Sequence, residues 1–222
     1  MIATLQDYVF YTQRLLHDAQ QQTWPVSPDL IDYVNIARDR VCLDTLITRV
    51  LPIITLNPLQ EKYLYSTILS AAQILVPAEP VRSIATVINF NVIQSSAYQP
   101  PMSKKSWTDL NAGWRTQGPT NPAAFPEVWA NYAVSKSLYI ANVPGSPLTA
   151  EADCLYFPNL LINLTDPENA IPDPIRQLVP LMAARWAFYY QDEVDIAEKF
   201  YAHYTLEKNE TMASYPPFSG FN

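Results

Sequence analysis

Two carboxylate pairs, Asp166/Glu168 and Asp192/Glu193, are the residues in this sequence best spaced for acid–base chemistry. Paired carboxylates can divide the roles of proton donor and nucleophile in glycoside hydrolysis. Both pairs lie near predicted helix ends, where acids complement a helix dipole or meet solvent, and that use is expected here. The two histidines, His17 and His203, sit far from each other and from both cysteines, so neither has zinc-ligand spacing. Ser146 in "VPGSP" lacks the second glycine of a nucleophile elbow. Cys42 and Cys154 read as two buried thiols of a reducing compartment rather than as a disulfide or metal pair. The four glycines, Gly113, Gly118, Gly145 and Gly220, stand alone and cannot form a phosphate-cradling loop. Trp107, Trp114 and Trp129 are the residues that could stack on a sugar, although packing or partner anchoring is the preferred reading. The expectation is therefore no catalytic residue, no cofactor, no metal and no enzymatic activity.

The chain has 222 residues, 49% hydrophobic and 16% charged, enough for one large domain or a compact body with an insertion. Its net charge is −7 and its pI near 4.7. A nucleic-acid binder presents a basic surface, so DNA close to this chain would be repelled rather than gripped. No apolar run reaches the roughly 20 residues a membrane-spanning helix needs. The opening "MIATLQDYVFYTQRLL" carries an early acid and no small-residue cleavage site, which argues against a signal peptide and for an intracellular protein.

Residues 2–17 have the period of an amphipathic helix, with Ile2, Leu5, Tyr8, Val9, Thr12, Leu15 and Leu16 on one face. A second helix is predicted near 28–46, with Ser27 as cap, Pro28 first and Asp29 at the dipole. Leu30, Val34, Ala37 and Val41 form its seam, while Ile36 and Leu43 fall outside it. From 47 to 165 the β-branched and aromatic runs "TRVLPIITL", "KYLYSTILS", "VRSIATVINFNVI", "VWANYAV", "SLYIANV" and "DCLYFPNLLINL" read as strands. A long loop, 95–126, interrupts them. Helical pattern returns at Asp173 and Pro174, breaks at Gln191 and Asp192, and resumes over 193–213. The predicted class is α+β: residues 1–46 and 166–215 make a helical bundle, 47–165 an antiparallel β-rich insertion, and 216–222 a tail.

The stretch "LMAARWAFYYQDEVDIAEKFYAHY" carries more ring surface than such a bundle hides. In its second helix, Ile196, Ala197, Phe200, Tyr201 and Tyr204 share a core face, with Asp195 and Lys199 paired on the wet side. In the preceding helix, Leu178, Leu181, Met182, Trp186, Phe188, Tyr189 and Tyr190 span roughly 200°, where about 100° suffices for a surface helix. Arg185 projects into that arc and is expected to be mostly buried against a carboxylate or carbonyl oxygens. The surplus predicts either coverage by the β insertion or a subunit interface of Ile36, Leu43, Met182, Arg185, Trp186 and Tyr190. Tyr215, Phe218 and Phe221 are too apolar for a free end and are predicted to bind another chain.

"SPDLIDYVNIARDRV" resembles the second-helix motif of the head-to-tail adaptor proteins of tailed bacteriophages, through Asp29, Leu30, Ile31, Tyr33, Val34, Asn35 and Ala37. "IPDPIRQLVPLMAARWAFYYQDEVDIAEKFYAHYTLEKN" is similar to that family's closing helices, through Ala197, Phe200, Tyr201 and Tyr204. The β insertion departs from the shortest, purely helical adaptors and looks more like those of short-tailed phages. The resemblance implies a virion protein made in the bacterial cytoplasm, forming a ring of twelve copies beneath the portal. Such a ring joins the capsid vertex to a tail nozzle, hub or tube protein and passes DNA through its centre without sequence-specific binding. It also makes the portal the expected partner of Tyr215, Phe218 and Phe221. The rival expectation is a glycan-binding or glycan-cleaving module of a phage tail that uses the tryptophan-bearing loop.

Overall fold

Thr4 opens the first helix by a reciprocal cap. Its hydroxyl accepts from the Asp7 N–H, while the Asp7 carboxylate accepts from the Thr4 N–H at 3.0 Å, satisfying donors that a helix start leaves free. Helix α1 (Leu5–Leu15) then buries Leu5, Tyr8, Val9 and Thr12. Ile2 and Leu15, also on the predicted face, are only partly buried.

A computed structural model describes residues 2–17, 24, 26–76, 80–93, 102–114 and 125–214. The chain is α+β and divides into two compact units, Met1–Thr48 with Pro158–Asn222, and Arg49–Phe157.

In the first, helical unit, the second helix starts later than its sequence signals suggest. A π-type turn over Val26–Leu30 precedes α2 (Ile31–Thr45), whose cap position is Leu30, with no side-chain cap. The side chains of Ser27 and Pro28 lie outside the described residues. Leu30, Val34, Ala37 and Val41 are all fully buried, as their spacing requires. The predicted helix from Pro174 is split at Gln177 into α5 (Asp173–Arg176) and α6 (Leu178–Tyr190). Pro172 rather than Asp173 takes the cap position, and Asp173 pairs instead with Arg176 at 2.6 Å. A short turn in which Asp192 adopts a left-handed φ of 60° leads to α7 (Val194–Ser214). Helix α6 packs against α1, α2 and α7. Its small face makes that possible, since Ala183, Ala184 and Ala187 are fully buried.

The second unit contains β1 (Arg49–Val50), β2 (Ile53–Leu56), β3 (Lys62–Leu64), α3 (Tyr65–Leu75) and β4 (Val81–Ile93). It continues with β5 (Ser103–Lys104), α4 (Trp107–Asp109), β6 (Val128–Tyr132), β7 (Ser137–Ala141) and β8 (Leu148–Pro158). Strands β1, β2 and β4 pair with β8, and a second sheet runs β3-β7-β6-β5. Ile68, Phe90, Trp129, Leu138 and Ile140 close the core. A smaller cluster forms where Leu110 covers Val128, Ala130 and Tyr139.

Three expectations for this region are corrected. "KYLYSTILS" is not one strand: after Leu64 the chain becomes α3, which buries Tyr65, Ile68 and Ala72 at helical spacing. The alternation of Tyr63 and Tyr65 ends where packing rewards a period near 3.6. The β region is not wholly antiparallel, because β5 pairs with β6 in parallel. Residues 158–165 belong to the helical unit. There the Asn35 side chain clamps the Leu161 backbone, donating to its carbonyl at 2.9 Å and accepting from its N–H at 3.0 Å.

Candidate functional site

Of the acids that suggested chemistry, Asp166 and Glu168 have structural partners. Glu168 is 2% exposed, so the expectation of a dipole-complementing or solvated acid fails for it. Its carboxylate accepts from Arg38 Nε at 2.7 Å, Arg38 Nη2 at 3.2 Å and the Tyr8 hydroxyl at 3.1 Å. It also accepts from the Ala170 and Ile171 N–H groups, at 3.0 and 3.2 Å. Burial opposes the charge on Arg38, but the Glu168 hydrogen bond and charge outweigh it and raise its pKa above the ordinary value. Burial, then the Glu168 charge, pushes the Tyr8 phenol well up. This network fastens the 159–171 segment to α1 and α2. Asp166 is engaged too, accepting from the Ile162 and Asn163 N–H groups, which hold its carboxyl below the usual range. Asp192 and Glu193 are exposed in the α6–α7 turn.

Both thiols are free and buried. Burial pushes Cys42 and Cys154 up to about 12. Among the described residues, no group of three or more His, Cys, Asp and Glu is placed to hold a metal ion. A groove of about 660 Å³ borders α1, α5, α6 and α7, lined by Arg14, Arg176, His203, Asp173 and Glu207. Arg176 in that groove is committed to structure, donating to the Ile171, Ile2 and Glu168 carbonyls. Trp129 is fully buried and offers a sugar no face. Trp107 is stacked on Tyr132 at 4.4 Å and tilted against Tyr139 at 4.5 Å, part of the cover over β6 and β7. The Trp114 side chain lies outside the described residues.

The surface that remains unexplained is aromatic. Helix α6 buries its first half: Leu178, Val179 and Met182 are fully enclosed. Met182 therefore has no surface for a neighbour, and its place in the predicted interface is corrected. The apolar period of a helix does not encode which of its sides α1, α2 and α7 occupy, and Met182 faces them. The last two residues of α6 are open. Tyr190 is 62% exposed and Tyr189 48%. Tyr190 stacks on Tyr33 of α2 at 5.4 Å and lies 6.3 Å from Trp186. Ile36 and Leu43, each 38% exposed, continue outward from Tyr33 on the same side of α2. Arg185 is 21% exposed, stands 4.1 Å over the Tyr201 ring and donates to Glu198 at 3.3 Å. That meets the expectation of a mostly buried guanidinium with an acidic partner, the face of Tyr201 supplying the rest of its surroundings.

Acids rim this surface. Burial, then the charge of Asp29, the neighbouring Tyr190 phenol and Asp32, raises the Tyr33 phenol above its ordinary value. Asp192 and Glu193 follow one residue beyond Tyr190, after Gln191, and both are exposed. Tyr33 was not among the predicted interface residues, although its i, i+3 relation to Ile36 was the available signal. Tyr215, Phe218 and Phe221 lie outside the described residues. Among those residues no helix is long and apolar enough to cross a membrane. No protein-family model and no curated protein matches the chain.

Proposed function

We propose that the chain is a head-to-tail adaptor of a tailed bacteriophage, a structural virion protein whose copies form a ring of twelve beneath the portal. On this reading the terminal helix pairs make a helical bundle, the β unit is its antiparallel-rich insertion, and no step of chemistry is performed. The single observation that carries the reading is the aromatic cluster of Tyr33, Trp186 and Tyr190, partly buried at the first two and open at Tyr190, which lies on the two segments that resemble the adaptor family. Large contiguous apolar surface seldom stays open on a protein that works alone. A head-to-tail neighbour would cover it in a closed ring.

Other features support the reading more weakly. The Asn35 clamp and the Arg38–Glu168 pair give two residues of the "DYVNIAR" stretch a structural task in uniting the N- and C-terminal segments. Net charge of −7 suits a channel through which DNA slides without sticking. Tyr215, Phe218 and Phe221 are proposed to reach the portal, and the opposite side of the ring a tail nozzle, hub or tube protein. The buried Trp129 and the packed Trp107 leave the glycan reading without a specific observation in its favour.

Electron microscopy of the purified full chain, alone and with capsids that carry the portal, tests the reading. Rings at the capsid vertex are expected. A chain that never associates with the vertex, or that binds glycans as a monomer, overturns it. Deleting residues 215–222 should leave the fold intact and weaken attachment to the vertex.

A further inference from the structure

If copies do form a ring, the acid-rimmed aromatic surface is a poor partner for itself, since Arg40 on the same side of α2 is already paired with Asp44 at 3.0 Å. A two-fold contact would set Asp29, Asp32, Asp192 and Glu193 of one copy against the same acids of the next, and like charges brought together at an interface are repulsive. The complementary face must be apolar and basic. The helical unit is a poor source, because its fifteen acids outnumber seven Lys and Arg residues, a balance of −8. The β unit holds six acids and seven Lys and Arg residues, a balance of +1.

One face of the β unit has the required character. Beside the turn between β6 and β7, Val134 is 84% exposed and Leu64 is 46% exposed, although both are apolar. Next to them a pocket of about 250 Å³ is lined by Leu64, Tyr65, Leu69 and Ile84, with Lys136 at its lip. No acid lines it among the described residues. Lys136 is exposed and held in a left-handed turn, φ 43°, where its carbonyl accepts from the Tyr65 N–H at 2.9 Å. The lip is therefore pinned by backbone rather than by a flexible loop. Another bare apolar face of this unit, Ile74 and Leu75 on α3, belongs to a helix with no charged residue and offers the acids nothing.

We infer that neighbouring copies meet heterologously, with the Tyr33–Tyr190 surface of one copy seated on the Leu64–Val134–Lys136 face of the next. The aromatic rings supply the apolar contact, and Lys136 meets the rim of Asp32 and Asp192. Because the two faces differ, each copy keeps one of each free for a further neighbour, and repetition is built in. This contact deepens the ring reading and rests on it.

The test uses the full chain in sedimentation velocity up to about 1 mM, the weak end of measurable association. Concentration-dependent association is expected. Lys136→Glu should weaken it at least tenfold, and so should Asp32→Lys with Asp192→Lys. Combining the three substitutions should restore most of the loss, whereas Ile74→Ser should change nothing. A Lys136→Cys, Asp192→Cys variant should form disulfide-linked ladders under mild oxidation, since Cys42 and Cys154 are buried. Association that ignores these charge reversals, or a combined variant no better than its parents, overturns the inference. Rings at the capsid vertex without ladders overturn this contact but leave the adaptor reading standing. A chain monomeric throughout removes this contact as a source of self-association, and vertex attachment then judges the adaptor reading separately.

Discussion

Both units of this chain have an apolar core and an ion pair, but only in the helical unit is the pair fully enclosed, since the side chains of Arg49 and Asp153 in the β unit are 23% and 11% exposed. The helical unit buries an ion pair, Arg38–Glu168, with side chains 3% and 0% exposed, and surrounds it with the Tyr8 hydroxyl, the Asn35 amide and loop backbone. The β unit closes over aromatic and aliphatic side chains, Phe90 against Trp129 at 6.2 Å, with Ile68, Leu138 and Ile140 around them. A buried pair is costly to desolvate and contributes only while both members and their hydrogen bonds are complete. An apolar core degrades in proportion to the volume removed. The helical unit should therefore fail abruptly when one polar atom is lost, and the β unit by degrees.

The sharpest test of that contrast is Glu168→Ala. It strands the Arg38 guanidinium and two backbone N–H groups, so a loss of about 3–5 kcal/mol is expected in urea unfolding. Replacing both partners, Arg38→Met with Glu168→Leu, should recover the share due to the unpaired charge but not that of the Ala170 and Ile171 N–H groups, which stay unsatisfied. A single substitution that costs no more than a surface change would break the comparison.

In the β unit, Ile68→Ala should cost about 3 kcal/mol, because Ile68 is fully buried where α3 meets the sheets. Ile68→Val should cost about 1 kcal/mol. Equal losses for the two substitutions would show that volume is not what holds this core.

The smallest effect belongs to Asp7. The Ala3 N–H is the chief cause, with the Thr4 N–H and hydroxyl adding to it, that holds the Asp7 carboxyl below its usual range. A depressed folded-state pKa means the stabilisation is complete above the unfolded value of 3.8 and fades as pH falls through the folded value. Asp7→Ala should cost at most about 1 kcal/mol near neutral pH, since the group is partly exposed. The gap from the parent should close in acid. A difference independent of pH would assign the effect to helix propensity instead.

Helix positions were legible because their signals are local. The seam of Leu30, Val34, Ala37 and Val41 is a matter of spacing, and all four are buried. The break after Tyr190 was legible for the same reason. Strand β4 shows the limit of such reading: its buried residues Val81, Ile84, Val87 and Phe90 recur every third position. Its β-branched content nonetheless identified it. The Val87 carbonyl accepts from Asn131 of the second sheet at 2.7 Å, so this strand has neighbours beyond the sheet it pairs with.

The sequence by itself determined where the helices of the terminal segments and most of the strands lie, though not α3, and that residues 178–190 carry apolar side chains around much of their helix. Those follow from residue type and period, which act within a turn or two of chain. Only the tertiary structure decided that Glu168 is a buried tie rather than a solvated acid. It alone decided that Met182 is core while Tyr190 stands in the open, and that Tyr33 comes to lie against it. Those facts depend on contacts between residues some 130 to 160 positions apart, as in Arg38–Glu168 and Tyr8–Glu168. No local period encodes which side of a helix its distant partners will cover.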